Sequence, residues 1–233
     1  MRIGVLGGGQ LGRMLALAGI PLGHTFSFYD TSAEAPARET GSLTVGSFND
    51  TALLTQFASS VDVVTFEFEN VPLSAARICA AHAPLHPSLR ALEVGQDRLR
   101  EKSFFQTHGI ATPRFARVTS SDELTAAATE IGIPGVVKTA TLGYDGKGQR
   151  VVRSTADLAP TWQALGGSPL IYEEFIPFER ELSLIAVRNE QGEHRFYPLA
   201  QNVHEQGILR TTTVPAHGDL RALQHTAERY VST

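Results

Sequence analysis

Eight consecutive residues, Leu142-Gly143-Tyr144-Asp145-Gly146-Lys147-Gly148-Gln149, carry three glycines, one ammonium, one carboxylate and one phenol. Apolar runs flank them, Gly135-Val136-Val137-Lys138 before and Arg150-Val151-Val152 after. The pattern predicts a strand, a glycine loop and a second strand. Glycine lets the backbone approach a ligand closely, and successive N–H groups in such a loop form an anion-binding concavity. Lys138 and Lys147 add point charges suited to phosphate. The plainer alternative is a hairpin tip with a solvated lysine, since glycine most often punctuates turns.

A second glycine cluster lies at the start of the chain. The apolar run Arg2-Ile3-Gly4-Val5-Leu6 leads into Gly7-Gly8-Gly9-Gln10-Leu11-Gly12, which matches G-x-G-x-x-G. A helix is expected from Arg13, ended by Gly19 and Pro21, followed by a strand closing on Asp30. Asp30 lies 18 residues after Gly12, near the spacing at which a dinucleotide-binding fold places an acid on ribose hydroxyls. By motif alone this opening is a complete Rossmann fingerprint. Farther on, the strand Val61–Phe66 runs into Glu67-Phe68-Glu69-Asn70. In a βαβαβ alternation those acids stand at the carboxyl end of a parallel strand, where ligands bind in open α/β sheets; the competing reading is a polar edge before a turn.

These residues need elements to hold them. Asn49-Asp50 can cap a helix over 51–58, and Pro72 starts a helix bearing Cys79. The stretch 96–102 reads as a charged helix with one apolar face, on which Arg98 by itself is better explained as a solvated or salt-bridged side chain. The domain boundary is placed between Pro87 and Pro113. Beyond it come a strand at 115–118, a helix from Ser121 to Ile131, a helix over 157–165 and the strand Leu170-Ile171-Tyr172-Glu173-Glu174-Phe175-Ile176. A long, mostly apolar strand is expected over 181–187, with 194–199 pairing back. Asp219 starts an amphipathic helix with Leu220, Leu223, Ala227, Tyr230 and Val231 on one stripe.

Composition bounds the reading. The chain has 233 residues, 42% hydrophobic and 19% charged, enough for one or two domains with sizeable cores. A net charge of −4 gives no general attraction to nucleic acid or anionic membranes, so phosphate binding must be local. The single cysteine, Cys79, fits a buried thiol in a reducing compartment. With no signal-peptide pattern and no apolar run of spanning length, a soluble cytoplasmic protein is expected.

Taken together and in order, these motifs resemble the ATP-grasp ligases, and within them the bicarbonate-using family of purine biosynthesis that makes N5-carboxyaminoimidazole ribonucleotide. The resemblance rests on Gly7 to Met14, Gln96-Asp97-Arg98, Gly143 to Gln149, Tyr172 to Ile176 with Glu181, Phe196-Tyr197-Pro198-Leu199 followed by Asn202-Val203-His204, and Gly207-Ile208-Leu209-Arg210. It implies an α/β fold: a Rossmann-like pre-ATP-grasp domain over 1–95, an ATP-grasp small subdomain over 96–178, and the start of an α+β C-terminal subdomain over 179–233, incomplete at its end.

The resemblance also implies roles. Arg98 and Lys138 would contact ATP phosphates. Gly143, Tyr144, Asp145, Gly146, Lys147, Gly148 and Gln149 would fold over the triphosphate as a lid, with Lys147, Tyr144 and Asp145 nearest the chemistry. Glu173, Glu174, Phe175 and Ile176 would read adenine through backbone groups and a carboxylate, Glu181 would take the ribose hydroxyls, and His204 would lie near the nucleotide. Gly9, Gln10, Leu11, Glu67, Glu69, Asn70 and Arg210 would face the aminoimidazole ribonucleotide, and in this family the first glycine loop does not bind NAD. ATP would phosphorylate bicarbonate to carboxyphosphate, whose CO2 the substrate amine would take up. Mg²⁺ is the implied metal and a homodimer the implied assembly. The acidic Mg²⁺ ligands of the family would lie beyond Thr233, so no metal ligand is assigned within these residues. Ala140-Thr141-Leu142 stand where some members are basic. Three readings remain open at this level: such a ligase or a related ATP-grasp ligase, an NAD-dependent oxidoreductase built on Gly7 to Asp30, and a catalytically incomplete chain that only binds ligand.

Overall fold

A computed structural model describes residues 1–143, 148–205 and 207–233. The chain divides into two compact units, Met1–Glu101 and Lys102–Thr233.

The first unit is a parallel α/β sheet. Strands β1 (Arg2–Leu6), β2 (Thr25–Asp30), β3 (Ser42–Val45) and β4 (Val63–Phe66) pair in the order β3-β2-β1-β4, with every ladder parallel. Parallel strands need crossovers that bury both faces of the sheet, and the strand residues alternate accordingly. Leu6 and Tyr29 join Leu54, Phe57, Val64 and Cys79 on one side, while Val5, Phe26 and Phe28 pack with Ala16 on the other. Helix α1 (Gln10–Gly19) supplies Ala16; α2 (Thr51–Ser59) and α3 (Leu73–Ala80) supply the opposite layer. Asp50 caps α2 as expected, accepting the Leu53 N–H at 2.9 Å. Helix α4 (Leu89–Gly95) is capped by Ser88. Strand β3 escapes sequence reading because it is short and half polar.

The second unit begins within α5 (Arg98–Thr107). Strands β5 (Phe115–Val118), β6 (Gly135–Thr139), β7 (Gln149–Val152) and β8 (Leu170–Glu174) form an antiparallel sheet ordered β5-β8-β6-β7. Helices α6 (Ser121–Ile131) and α7 (Leu158–Leu165) contribute Leu124, Ala128, Ile131 and Leu158 to a core with Val118, Val137, Val152 and Tyr172. At the start of α6, Ser120 accepts the Glu123 N–H at 3.1 Å, and the Glu123 carboxylate reaches back to the Thr119 N–H at 2.6 Å. Hydrogen bonds from the Thr119 hydroxyl, at 2.7 Å, and from the Thr119 N–H hold the Glu123 carboxyl below its ordinary 4.5.

The single strand expected over 181–187 is instead two. Strand β9 (Glu181–Ser183) pairs with β12 (Ala200–Glu205), whereas β10 (Ala186–Arg188) pairs with β11 (His194–Phe196). The chain changes partner at Leu184 and Ile185, which no apolar pattern reveals. Strand β13 (Ile208–Thr213) completes a sheet ordered β13-β12-β9. The C-terminal helix also departs from expectation. Residues Gly218–Leu223 are 3-10 helix, and α8 (Gln224–Ser232) follows. Of the expected stripe, Leu223, Tyr230 and Val231 are exposed.

Candidate functional site

The glycine loop of the first unit is built around a carboxylate. Gly7 follows β1 at φ 102°, a left-handed conformation that glycine adopts without strain. A Cβ there would meet Glu67 Cγ at 2.6 Å; at Gly9 it would meet Glu67 Oε1 at 2.7 Å, and at Gly12 Oε2 at 2.8 Å. All three motif glycines therefore make room for one side chain. Glu67 Oε1 accepts the Gly9 N–H at 2.6 Å, and Oε2 accepts the Gly12 N–H. A negative group at a helix N-terminus is favoured by the orphan N–H donors and the macrodipole; here the chain provides its own.

Asp30 acts in the same way. Its Oδ2 accepts the Gly8 N–H at 2.7 Å and its Oδ1 the Ser32 N–H at 2.8 Å. Both oxygens are committed to backbone. A pyrophosphate on this loop would compete with two carboxylates for the same amides, so the fingerprint does not describe a dinucleotide site here. Gln10 and Leu11 lie exposed in the first turn of α1, and Glu69 is exposed and Asn70 half-buried just past β4. Arg98 opens α5 in the first unit and is half-buried.

In the second unit Lys138 stands on β6 and Glu173 and Glu174 on β8. Glu173 is 4% exposed, and its Oε2 lies 2.9 Å from Lys138 Nζ and 3.4 Å from Lys102 Nζ. Its Oε1 is buried without a hydrogen-bond partner. Ladder register puts Val136 opposite Glu173 and Gln149 opposite Lys138, and the Thr139 N–H donates to the Gly148 carbonyl at 2.8 Å. Lys138 thus stands at the foot of the second glycine loop. Tyr144, Asp145, Gly146 and Lys147 lie outside the described residues; Gly143 and Gly148 bound them.

Glu174 has a different partner. Hydrogen bonds from Arg114 hold its carboxyl below the ordinary 4.5, with Arg114 Nε 3.3 Å away. Its N–H donates to the Arg114 carbonyl at 2.8 Å, and the Phe175 N–H to the Pro134 carbonyl at 3.4 Å. Ile176 is exposed beyond β8. Glu181 and His204 are brought together across the β9–β12 ladder, His204 Nδ1 lying 3.2 Å from Glu181 Oε2. Arg210 faces Glu205 at 3.5 Å on the exposed β12–β13 hairpin. Lys102 is the residue sequence reasoning missed, because in a charged helix nothing local separates it from a solvated lysine.

Among the described residues no group of three or more His, Cys, Asp or Glu is arranged to hold a metal, and no helix is long and apolar enough to cross a membrane.

A parallel α/β unit is thus followed in the chain by an antiparallel one with two lysines on a buried acid. The chain belongs to the ATP-grasp family: residues 103–233 match the ATP-grasp domain, and residues 1–96 match the ribonucleotide synthetase preATP-grasp domain. The resemblance drawn from the motifs is thereby borne out, with its fold class. The chain is 49% identical, over 231 residues, to the N5-carboxyaminoimidazole ribonucleotide synthase of Pseudomonas aeruginosa, covering 99% of this chain and 63% of that protein. A crystal structure of N5-carboxyaminoimidazole ribonucleotide synthetase from Thermus thermophilus superposes with a TM-score of 0.90 at 50% identity, covering 99% of this chain and 62% of that one. The Aspergillus clavatus synthase, solved in complex with ADP and 5-aminoimidazole ribonucleotide, gives a TM-score of 0.90 at 28% identity, covering 99% of this chain and 61% of that one. The chain thus spans less than two thirds of each of these proteins.

Proposed function

We propose that this chain carries the nucleotide- and ribonucleotide-binding portions of an ATP-dependent carbon–nitrogen ligase of purine biosynthesis. Its reaction joins 5-aminoimidazole ribonucleotide and bicarbonate into N5-carboxyaminoimidazole ribonucleotide, with ADP and phosphate released. The observation that carries the reading is the pair of lysines on buried Glu173 at the foot of the second glycine loop. One carboxylate between two ammoniums leaves one positive charge in excess beside a loop able to present backbone amides. That is a socket for a polyphosphate.

The roles are those that the resemblance gives, read with the contacts described above. Lys138 and Arg98 bind the phosphates, and Gly143 and Gly148 with Gln149 bound the loop that covers them. Tyr144, Asp145, Gly146 and Lys147 keep the places the resemblance gives them, Lys147 at the phosphates and Tyr144 and Asp145 at the reacting groups. Since Glu173 is turned to lysines and Glu174 to Arg114, and the Glu174 and Phe175 N–H groups are paired, adenine is read by the remaining backbone groups from Glu174 to Ile176. Glu181, steadied by His204, takes the ribose hydroxyls. Gly9, Gln10, Leu11, Glu67, Glu69, Asn70 and Arg210 serve the ribonucleotide; Glu67 does so by fixing the loop from which Gln10 and Leu11 project.

In the reaction, a bicarbonate oxygen attacks the γ-phosphorus and the bond to ADP breaks. Phosphoryl transfer to so weak a nucleophile depends on positioning and charge neutralisation. Carboxyphosphate then releases phosphate and CO2, and the substrate nitrogen adds to CO2 and loses its proton. Exclusion of water by the site protects carboxyphosphate from other fates. Mg²⁺ would neutralise phosphate charge; the described residues do not form its site, and no step is assigned to it. A cytoplasmic homodimer belongs to the same reading, as does the division at residues 95 and 178.

ATP hydrolysis by the protein tests it. ADP release is expected only with bicarbonate and 5-aminoimidazole ribonucleotide both present; equal hydrolysis with either omitted overturns the assignment.

A further inference from the structure

Lys102 belongs to neither the glycine loop nor the strand β8, yet it shares Glu173 Oε2 with Lys138, at 3.4 Å against 2.9 Å. Its side chain is the more enclosed of the two, 15% exposed against 28%, and its Nζ lies 6.0 Å from the Phe115 ring centroid. A buried ammonium is stable only beside compensating charge. Glu173 alone would satisfy one lysine as a neutral pair, and Lys138 would then be closed onto it. The second ammonium changes that balance. With Lys102 neutralising Glu173 from the more enclosed side, Lys138 keeps its charge and spare N–H donors for a phosphate. Glu173 Oε1 accepts from neither lysine, so both compete for the one oxygen.

We infer that Lys102 is a positioning residue for the polyphosphate: it holds Glu173 so that Lys138 is free to bind phosphate. The inference rests on the ATP-ligase reading above. It separates phosphate from adenine recognition, which a packing role for Lys102 does not.

The test is the affinity of the 233-residue chain for ADP and for adenosine, with unliganded melting followed by Trp162. Lys102→Met is expected to weaken ADP by about tenfold or more, the scale of a lost charge-assisted hydrogen bond, while leaving neutral adenosine within about twofold. Lys102→Arg retains the charge and restores most of the ADP affinity. If Lys102→Met fails to fold, Lys102→Gln takes its place in the same comparison. ADP affinity unchanged by the substitution overturns the inference and leaves the nucleotide reading standing. Equal weakening of ADP and adenosine also overturns it, in favour of a packing role. An unsubstituted chain that binds no ADP overturns both.

Discussion

Replacing Glu67 by alanine tests how the first glycine loop is held. The carboxylate accepts the N–H groups of Gly9 and Gly12, and Glu67 is half-buried. Hydrogen bonds to a charged acceptor contribute about 1.5–3 kcal/mol each, and water entering the vacated space recovers part of the loss. Glu67→Ala should therefore cost the first unit about 2–4 kcal/mol. For a unit of roughly one hundred residues that lowers its midpoint by about 10–20 °C. Glu67→Gln keeps one amide oxygen as acceptor and should cost about half as much. The two units need separate probes, because a two-unit chain has no single midpoint. The sequence supplies them: its only cysteine, Cys79, is buried in the first core, and its only tryptophan, Trp162, packs on the second. Thiol labelling of Cys79 during heating should show the drop, while Trp162 emission stays put. A Cys79 midpoint within about 2–4 °C of the unsubstituted protein's, equivalent to the roughly 0.5 kcal/mol of ordinary surface changes, would refute the carboxylate lock.

Two further outcomes concern pH. Burial pushes the Cys79 thiol from 9.0 up to about 11. A raised value stabilises the folded first unit below pH 9.0 and the benefit is lost as pH climbs toward 11, so Cys79→Ala should flatten the alkaline fall in that unit's stability; a fall of unchanged steepness contradicts this. On the acid side, Arg114 holds Glu174 below 4.5. A depressed carboxylate stabilises the folded state above its ordinary value and ceases to do so as pH falls through the lower one. Arg114→Met should therefore make the Trp162 midpoint less sensitive to pH below 4.5; an identical acid limb in the two proteins would count against the pairing.

Much of the fold is legible in local pattern. The run into Gly7, the Asp50 cap and the apolar stretches on either side of the second glycine loop each carry their signal within a few residues. Contacts distant in sequence do not. Nothing near Gly9 says that its amide is taken by Glu67, 58 residues away, so the loop reads from sequence as a phosphate cradle. Spacing likewise places Asp30 as a ribose ligand, while folding turns it back on Gly8 and Ser32. Lys102 is a solvated lysine by every local criterion until Glu173 is brought to it. Strand β12 escapes recognition as a strand because Gln201, Asn202, His204 and Glu205 give it no apolar alternation; the motif Asn202-Val203-His204 still marks its place. The 181–187 run shows the opposite failure, where a continuous apolar pattern hides a change of pairing partner.

The central claim is that the second unit, and not the first glycine loop, receives the nucleotide. Melting followed by Trp162 with added ADP or NADH tests it most directly. The account predicts that ADP at about one hundred times its Kd adds about 2.7 kcal/mol to the stability that Trp162 reports, and that NADH at equal concentration changes neither that midpoint nor the thermal exposure of Cys79. An unmoved Trp162 midpoint with ADP, or NADH protection of Cys79, would contradict it.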